Sequence, residues 1–383
     1  MKRITLLGAS GSIGTQTIDI LLAQKSEFRL VAFSVGKQKE KAESILHAFP
    51  SVEAVCFANE EDARHFHVFH PQLKVFHGDE GLLQLIEAVP ADMLVNALVG
   101  FVGLVPTIRA LEAGLTVATA NKESLVVGGT LINDLLDQGK GRIIPIDSEH
   151  VGVAKCLAKA KKEVRKVYIT ASGGALRDVP LNELKYVTPE RALAHPNWQM
   201  GAKITIDCAT MMNKGFELIE ACVLFRRDMD HFGVLMHRES MMHACVELPS
   251  GKYLCDISSP DMHGPIAYAL SEGRCKYHLT KTNDLSKLKG LHFFNFDPER
   301  YPAVELAKRA YGRGGNALAI LNAANEVAVH AFLDHIIRFT DIVPLVEMAL
   351  EKLPYLPSPN LDELVATDHL TRGYVSERIR RLR

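Results

Sequence analysis

The densest collection of reactive side chains lies in residues 195–220, HPNWQMGAKITIDCATMMNKGFELIE. This stretch holds His195, the only tryptophan (Trp198), the Cys208 thiol, and then Asn213, Lys214 and Glu217. Helical spacing of apolar residues from about Thr210 onwards places Asn213 and Lys214 four and three residues before Glu217, so all three project from one side of a helix. An amide, an ammonium and a carboxylate grouped this way suit a phosphorylated or metal-chelated ligand. An exposed ion pair on an amphipathic helix is the competing account.

A second set is DSEH at 147–150, which follows a candidate strand at 142–146. In an extended segment residues i and i+2 share a side, so Asp147 and Glu149 offer their carboxylates to one point. With Glu217 they make a hard-oxygen set for Mg²⁺ or Mn²⁺. A helix start, with Asp147 as N-cap and Glu149 as a first-turn acid, explains the same letters equally well. The third set is ASGG at 171–174, where Ser172 and two glycines after a strand at Val167–Thr170 form either an N–H-rich phosphate cradle or an ordinary turn.

Several elements must position these groups. Ile4–Leu7 is an apolar run followed by GASGSIG and then by helical spacing. A strand, a glycine turn and a helix N-terminus in succession accept a dinucleotide pyrophosphate, with Ser10, Gly11, Ser12 and Ile13 at the turn. Further strands are expected near 28–35, 52–57, 92–96, 115–119 and 142–146 with helices between them, a parallel doubly wound sheet. The second strand ends SVGKQK, without the acid that holds the ribose hydroxyls of NAD. Gly36, Lys37, Gln38 and Lys39 there favour the 2′-phosphate of NADP, unless the lysines are only surface charges. NALVGFVG (96–103) and TANKES (119–124) occupy strand ends where such sheets place ligands; Asn121, Lys122 and Glu123 read either as a plain helix start or as a ligand edge, with Lys122 in reach of cofactor and substrate together. A short strand is expected at Lys203–Asp207, and a mobile loop over 178–199, with three prolines, would carry Trp198 as a lid. From about Tyr301 the spacing gives helices at 317–332, at 342–352 and from Asp362; within the first, Asn322, Asn325 and Glu326 read as helix surface or as a domain contact.

Composition limits the function classes. The chain has 383 residues, 47% hydrophobic and 23% charged, which suits two or three ordinary globular domains. Its 44 basic and 45 acidic residues give a net charge of −1, with no general pull towards nucleic acid or membrane. The run Lys159, Lys161, Lys162, Arg165, Lys166 reads as a solvated helix end. Seven cysteines, Cys275 among them, form no C-x-x-C pair and point to a reducing cytoplasm, without signal peptide or membrane span.

In order along the chain, GASGSIG, NALVG, ANKES, DSEH, ASGG, HPNWQMGAKITIDCATMMNKGFE, HRESMMH with PDMHGPI, and LNAANEVAV resemble 1-deoxy-D-xylulose 5-phosphate reductoisomerase. The resemblance implies an α/β protein with an N-terminal Rossmann-type NADPH domain (1–147), an α+β catalytic domain (148–300) and a small C-terminal helical domain (301–383). It implies an NADPH- and metal-dependent enzyme of the non-mevalonate isoprenoid route, making 2-C-methyl-D-erythritol 4-phosphate from the deoxyxylulose phosphate. Asp147, Glu149 and Glu217 match the metal carboxylates, and Lys122 and Ser148 match substrate contacts. Ser172, His195, Asn213 and Lys214 match the phosphate grip, Trp198 and Met200 the closing loop, and His243 a pocket histidine. The partner implied is a small sugar phosphate, bound by a cytoplasmic homodimer. Phe101, Cys208 and His263 depart from the family pattern; Cys208 replaces a serine, and a thiol is a weaker phosphate donor than a hydroxyl. A related reductase for another phosphorylated ketose or aldehyde, and a non-catalytic NADPH-binding regulator, remain open alternatives.

Overall fold

Continuously apolar strands must be covered on both faces, and helices with one apolar stripe cover them. The computed structural model describes residues 1–160, 163–274 and 290–381; Lys161, Lys162 and Cys275 lie outside the described residues. Chain contacts divide it into two units. The first comprises Met1–Ser124, Thr130–Asp147 and a stretch from Asp261; the second comprises Leu125–Gly129, Ser148–Pro260 and the C-terminal helices.

The first unit holds β1 (Lys2–Leu7), β2 (Phe28–Ser34), β3 (Ala54–Phe57), β4 (Lys74–His77), β5 (Met93–Asn96), β6 (Thr116–Thr119) and β7 (Arg142–Pro145). They form one sheet in the order β4-β3-β2-β1-β5-β6-β7, parallel throughout. The chain reverses its direction of growth between β1 and β5, the kind of switch point where doubly wound sheets hold ligands. The helices are α1 (Ser12–Ala23), α2 (Lys39–Ala48), α3 (Glu60–Phe69), α4 (Gly78–Ala88), α5 (Leu104–Glu112) and α6 (Lys122–Asp137). Every strand expected in this unit is present, and β4 is an addition. Its sequence KVFH contains no fully buried residue and sits at the sheet edge, so no apolar run announced it.

The second unit carries a mixed sheet, β11-β10-β8-β9-β12, built from β8 (Lys166–Ala171), β9 (Phe232–Met236), β10 (Met242–Glu247), β11 (Tyr253–Ile257) and β12 (Phe294–Asn295). Its helices are α7 (Ser148–Ala160), α8 (Pro189–Leu193), α9 (Ala202–Thr210), α10 (Met212–Phe225), α12 (Pro302–Arg313), α13 (Ala317–Leu333), α14 (Ile342–Lys352) and α15 (Leu361–Arg381), while α11 (His263–Leu270) belongs to the first unit. One apolar core joins Ile206, Met212 and Phe216 to Ile320, Leu321, Ile342 and Val375, so the C-terminal helices share their interior with α9 and α10.

Three expectations change. The stretch Lys203–Asp207 is helix, not strand. The alternation of Ile204 and Ile206 fits either form, but helix buries Ile206 completely and joins Lys203 to Asp207 at 2.9 Å across one turn. Residues 178–199 are not one continuous loop: they contain a 3₁₀ turn at Leu181–Tyr186 and α8, and Val179, Val187 and Ala192 are buried in the core. Asn322, Asn325 and Glu326 are buried rather than on a helix surface. Asn325 donates to Asp207 at 2.8 Å and Glu326 receives Arg372 at 2.5 Å, so they tie α13 to α9 and α15.

Candidate active site

At the carboxyl end of β1 the chain turns through Gly8, whose φ of +79° is left-handed. A Cβ on Gly14 would lie 2.2 Å from the Gly8 carbonyl oxygen, so only glycine lets α1 pack this close to the turn. Gly11 occupies the N-cap of α1 and no side chain caps the first-turn N–H groups beside Ser10, Ser12 and Ile13. Gly36, Lys37 and Gln38 are exposed at the end of β2, whereas Lys39 is already paired with Asp62 at 2.8 Å. Of the two lysines expected to meet a 2′-phosphate, Lys37 is therefore the one presented outwards.

The β5 and β6 loops are fastened to each other. Asn121 donates to the carbonyls of Leu98 (3.1 Å) and Gly100 (2.9 Å), and its side-chain oxygen caps α6 at the Ser124 N–H. Asn96 donates to Gly103 O and to Thr107, and a Cβ on Gly103 would strike Asn121. Phe101 is half-buried in this loop. Lys122 opens α6 and pairs with Asp147 at 2.6 Å, its side chain only 6% exposed; Glu123 accepts from Asn121 at 3.4 Å. His263 opens α11 and pairs with Asp261 at 2.7 Å.

Asp147 immediately precedes α7, and Glu149 stands in its first turn. The local geometry is thus the helix start, and the extended-strand argument for shared sides does not apply. In the second unit, Met211 takes the left-handed conformation (φ 63°) between α9 and α10, a break costing a non-glycine residue about 1–2 kcal/mol. The break lets the first turn of α10 leave the line of α9 and carry Asn213 and Lys214 into the interior. Lys214 Nζ is 2.9 Å from Glu149 Oε1 and also bonds Glu217 Oε2; Asn213 donates to the other Glu217 oxygen. The Lys214 and Glu217 side chains are 4% and 2% exposed, which excludes the exposed surface pair.

Electrostatics follow from this crowding. Burial alone would raise the Glu149 carboxyl, but the Lys214 ammonium, with His243 and a 2.6 Å bond from Ser148, holds it well below the usual carboxylate range. Burial likewise opposes charge on Lys214, and the two glutamates overcome it, raising the ammonium above its ordinary value. His243 is depressed by burial, with Glu149 acting against that shift, and its ring meets Trp198 edge-on at 6.3 Å.

Ser172 and His195 form a separate neutral pair, Oγ to Nε2 at 3.1 Å. His195 Nδ1 accepts the N–H groups of Asn197 (3.2 Å) and Trp198 (3.0 Å), so the proton of the neutral ring belongs on Nε2. Burial, aided by the Arg177 guanidinium, lowers this imidazole to about 4. The chain around it turns through Gly173 and Gly174, both at positive φ, and a Cβ on Gly174 would lie 2.6 Å from the Cys208 carbonyl, so the ASGG loop rests on the end of α9. Of the four residues matched to one phosphate grip, Ser172 and His195 are thus hydrogen-bonded to each other, while Asn213 and Lys214 are bonded to the acids. Sequence reasoning missed Arg177, which donates to the Ser172 carbonyl at 3.0 Å. It also missed the fully buried His150, which contacts the Glu217 carbonyl at 2.9 Å and Glu220 at 3.5 Å. The letters DSEH displayed His150 but carried no sign of its partner.

A doubly wound parallel sheet with a glycine turn, joined in one chain to a second sheet and a carboxylate–ammonium cluster, defines a two-unit α/β class with a Rossmann-type sheet. Within that class, the chain belongs to the 1-deoxy-D-xylulose 5-phosphate reductoisomerase family. The family's models match at residues 4–129, at 143–225 (its C-terminal domain) and at 257–374 (DXP reductoisomerase C-terminal domain). The chain is 44% identical over 381 residues to 1-deoxy-D-xylulose 5-phosphate reductoisomerase 2 of Bacillus thuringiensis subsp. konkukian, covering 99% of this chain and 100% of that one. It is 45% identical to the reductoisomerase of Geobacillus kaustophilus, over 98% of this chain and 99% of the relative. A crystal structure of DOX-P reductoisomerase in complex with NADPH, fosmidomycin and magnesium superposes with a TM-score of 0.94 at 31% identity, covering 100% and 99% of the two chains. The Zymomonas mobilis enzyme in complex with NADPH gives 0.90 at 35% identity, over 99% of both.

Proposed function

We propose that this protein converts 1-deoxy-D-xylulose 5-phosphate to 2-C-methyl-D-erythritol 4-phosphate, using NADPH and a divalent cation. One observation carries the reading: the carboxylates of Glu149 and Glu217 converge on the single cationic nitrogen of Lys214, with Asn213 and Ser148 bonded to the same acids. Two hard-oxygen side chains gathered on one cation are the donor type that Mg²⁺ or Mn²⁺ takes. Glu149 and Glu217 would hold the ion, and the sequence expectation of Asp147 as a third acid belongs to the same proposal. When bound, such an ion supplies Lewis-acid stabilisation of charge developing on substrate oxygens.

The chain's own residues do the rest. Lys214 pairs with both acids and favours the ionised form of Glu149, and Ser148 orients Glu149. His195, neutral near pH 7, directs its Nε2 proton at Ser172, leaving the hydroxyl proton of Ser172 for a phosphate oxygen. Binding that remote phosphate orients the reacting carbons. Buried His243 and half-buried Trp198, edge to ring, would shield this side of the second unit from water. In the first unit, the first-turn N–H groups of α1 take the pyrophosphate and Lys37 the 2′-phosphate, and the reduced nicotinamide is the source of hydride. Phosphate recognition by Cys208, the domain boundaries at 147/148 and 300/301, and a cytoplasmic homodimer that binds neither nucleic acid nor membrane belong to the proposal; among the described residues no helix is long and apolar enough to cross a membrane.

The deciding experiment is a coupled absorbance assay of purified protein with Mn²⁺, NADPH and 1-deoxy-D-xylulose 5-phosphate. NADPH oxidation that needs all three components is expected. A folded protein that turns over only a different phosphorylated ketose or aldehyde overturns the substrate, and one that binds NADPH yet turns over none overturns the activity.

A further inference from the structure

Beyond the reductive chemistry, the second unit holds a pair of thiols that nothing in the proposed reaction uses. Cys245 in β10 and Cys255 in β11 are direct partners in the antiparallel register, and their sulfurs are 3.4 Å apart. Directly opposed antiparallel residues have Cα separations of roughly 4.5–5.5 Å, inside the approximately 4.4–6.8 Å range that a disulfide spans. Cys245 is buried and Cys255 exposed, and β11 is an edge strand of the five-stranded sheet, so the Cys255 residue is open to reagents and its strand is paired on one side only.

The same strand pair carries a residue of the candidate site. The β10–β11 register slips between Met242 and Ala244, which makes His243 the extra residue of a bulge. The bulge turns His243 towards Trp198 and into the field of Glu149. Bonding Cys245 to Cys255 requires the sulfurs to close from 3.4 Å to about 2.05 Å, a movement shared between side-chain rotation and approach of the strands two residues from that bulge.

We propose that Cys245 and Cys255 form a reversible cross-strand disulfide that lowers turnover by displacing His243. The oxidant is a low-molecular-weight disulfide. The Cys255 thiol gives its proton to solvent, and the thiolate attacks one sulfur of that disulfide, releasing one thiolate and leaving a mixed disulfide. The departing thiolate takes up the proton lost by Cys245, whose sulfur then attacks Cys255 and expels the second small thiol. Two protein thiols are oxidised and one small disulfide is reduced to two thiols. Exposed cross-strand bonds of this kind belong to the readily reduced class, which makes the step reversible.

The test incubates the full chain with oxidised glutathione, then measures intact mass, disulfide-mapped peptides and NADPH oxidation before and after dithiothreitol. The expected result is loss of two hydrogens, a peptide pair joined through Cys245 and Cys255, and turnover reduced about tenfold and restored by the reductant. Cys255→Ser is expected to keep the basal rate and to resist the oxidant. A stable glutathione adduct without the cross-link, a bond between two chains, or an unchanged mass overturns the disulfide; a cross-linked protein with undiminished turnover overturns the switch. A reduced protein without any turnover would count against the functional reading above, and the thiol chemistry would then be judged on mass alone.

Discussion

In the first unit the carboxyl ends of β1 and β2 are finished by backbone: Gly8 at positive φ, Gly14 under the turn, uncapped N–H groups of α1, and an exposed Gly36. In the second unit the corresponding work falls to buried charge, with Glu149, Lys214 and Glu217 bonded together and none of them presented as an ordinary surface group. The contrast separates two ways of making a site. A backbone site depends on what is absent, a Cβ at a few positions, and is set by local chain geometry. A charged cluster depends on partners 65 residues apart, such as Lys214 and Glu149, being brought into one low-dielectric place, where each charge is costly without the other.

The strongest way to break this comparison is Glu217→Gln. Removing the carboxylate charge while keeping its shape is expected to cut turnover on the order of 10²–10³-fold, with NADPH affinity, measured by fluorescence titration, unchanged. Full activity in that variant would remove Glu217 from the chemistry and reduce the cluster to a structural ion pair.

A smaller, opposite effect is expected from Gly14→Ala. The added Cβ meets the Gly8 carbonyl at 2.2 Å, so the turn must shift. Overpacking of this sort costs about 1–3 kcal/mol, and NADPH should bind roughly tenfold more weakly, since about 1.4 kcal/mol is a factor of ten, while calorimetric metal binding stays unchanged. Loss of metal binding as well would show that the two regions are not independent.

The finest distinction concerns the neutral pair beside the charged cluster. His195 has its imidazole lowered from 6.5 to about 4, by burial first and Arg177 second. Between these values the unfolded chain takes up a proton that the folded chain refuses, so this group's effect is a loss of stability as pH falls from 6.5 towards 4, and none above. His195→Asn should lack that component: the difference in Tm between wild type and variant changes across the window and is flat above it. A constant difference at every pH would mean that the ring is not held neutral by the fold.

Much of the fold was readable because its signals are local. The strands of the parallel sheet are short apolar runs punctuated by turns, and α13 and α14 follow their helical spacing closely. β4 escaped because an exposed edge strand needs no apolar run, and Lys203–Asp207 misled because two isoleucines two apart satisfy a strand before the core that receives Ile206 is known. In the candidate site, the one-sided grouping of Asn213, Lys214 and Glu217 was readable from spacing, and the bonds among them agree with it. Their burial was not, because nothing in an i,i+3 pair distinguishes a solvated face from an interior one. Arg177 and His150 were invisible for a related reason: Arg177 also donates to the distant Arg238 carbonyl and His150 meets Glu220, partners that only the packed chain brings close.

The residue order by itself determined the alternation of strand and helix, the glycine turn, and which acids, amide and ammonium stand near one another along the chain, because these depend on local sterics and periodicity. Tertiary structure alone decided that Lys214 is shared between Glu149 and Glu217, that Ser172 pairs with a neutral His195, and that the β10 bulge aims His243 inwards. Burial converts ordinary polar side chains into strongly coupled ones, and burial is a property of the packed chain rather than of any stretch of it.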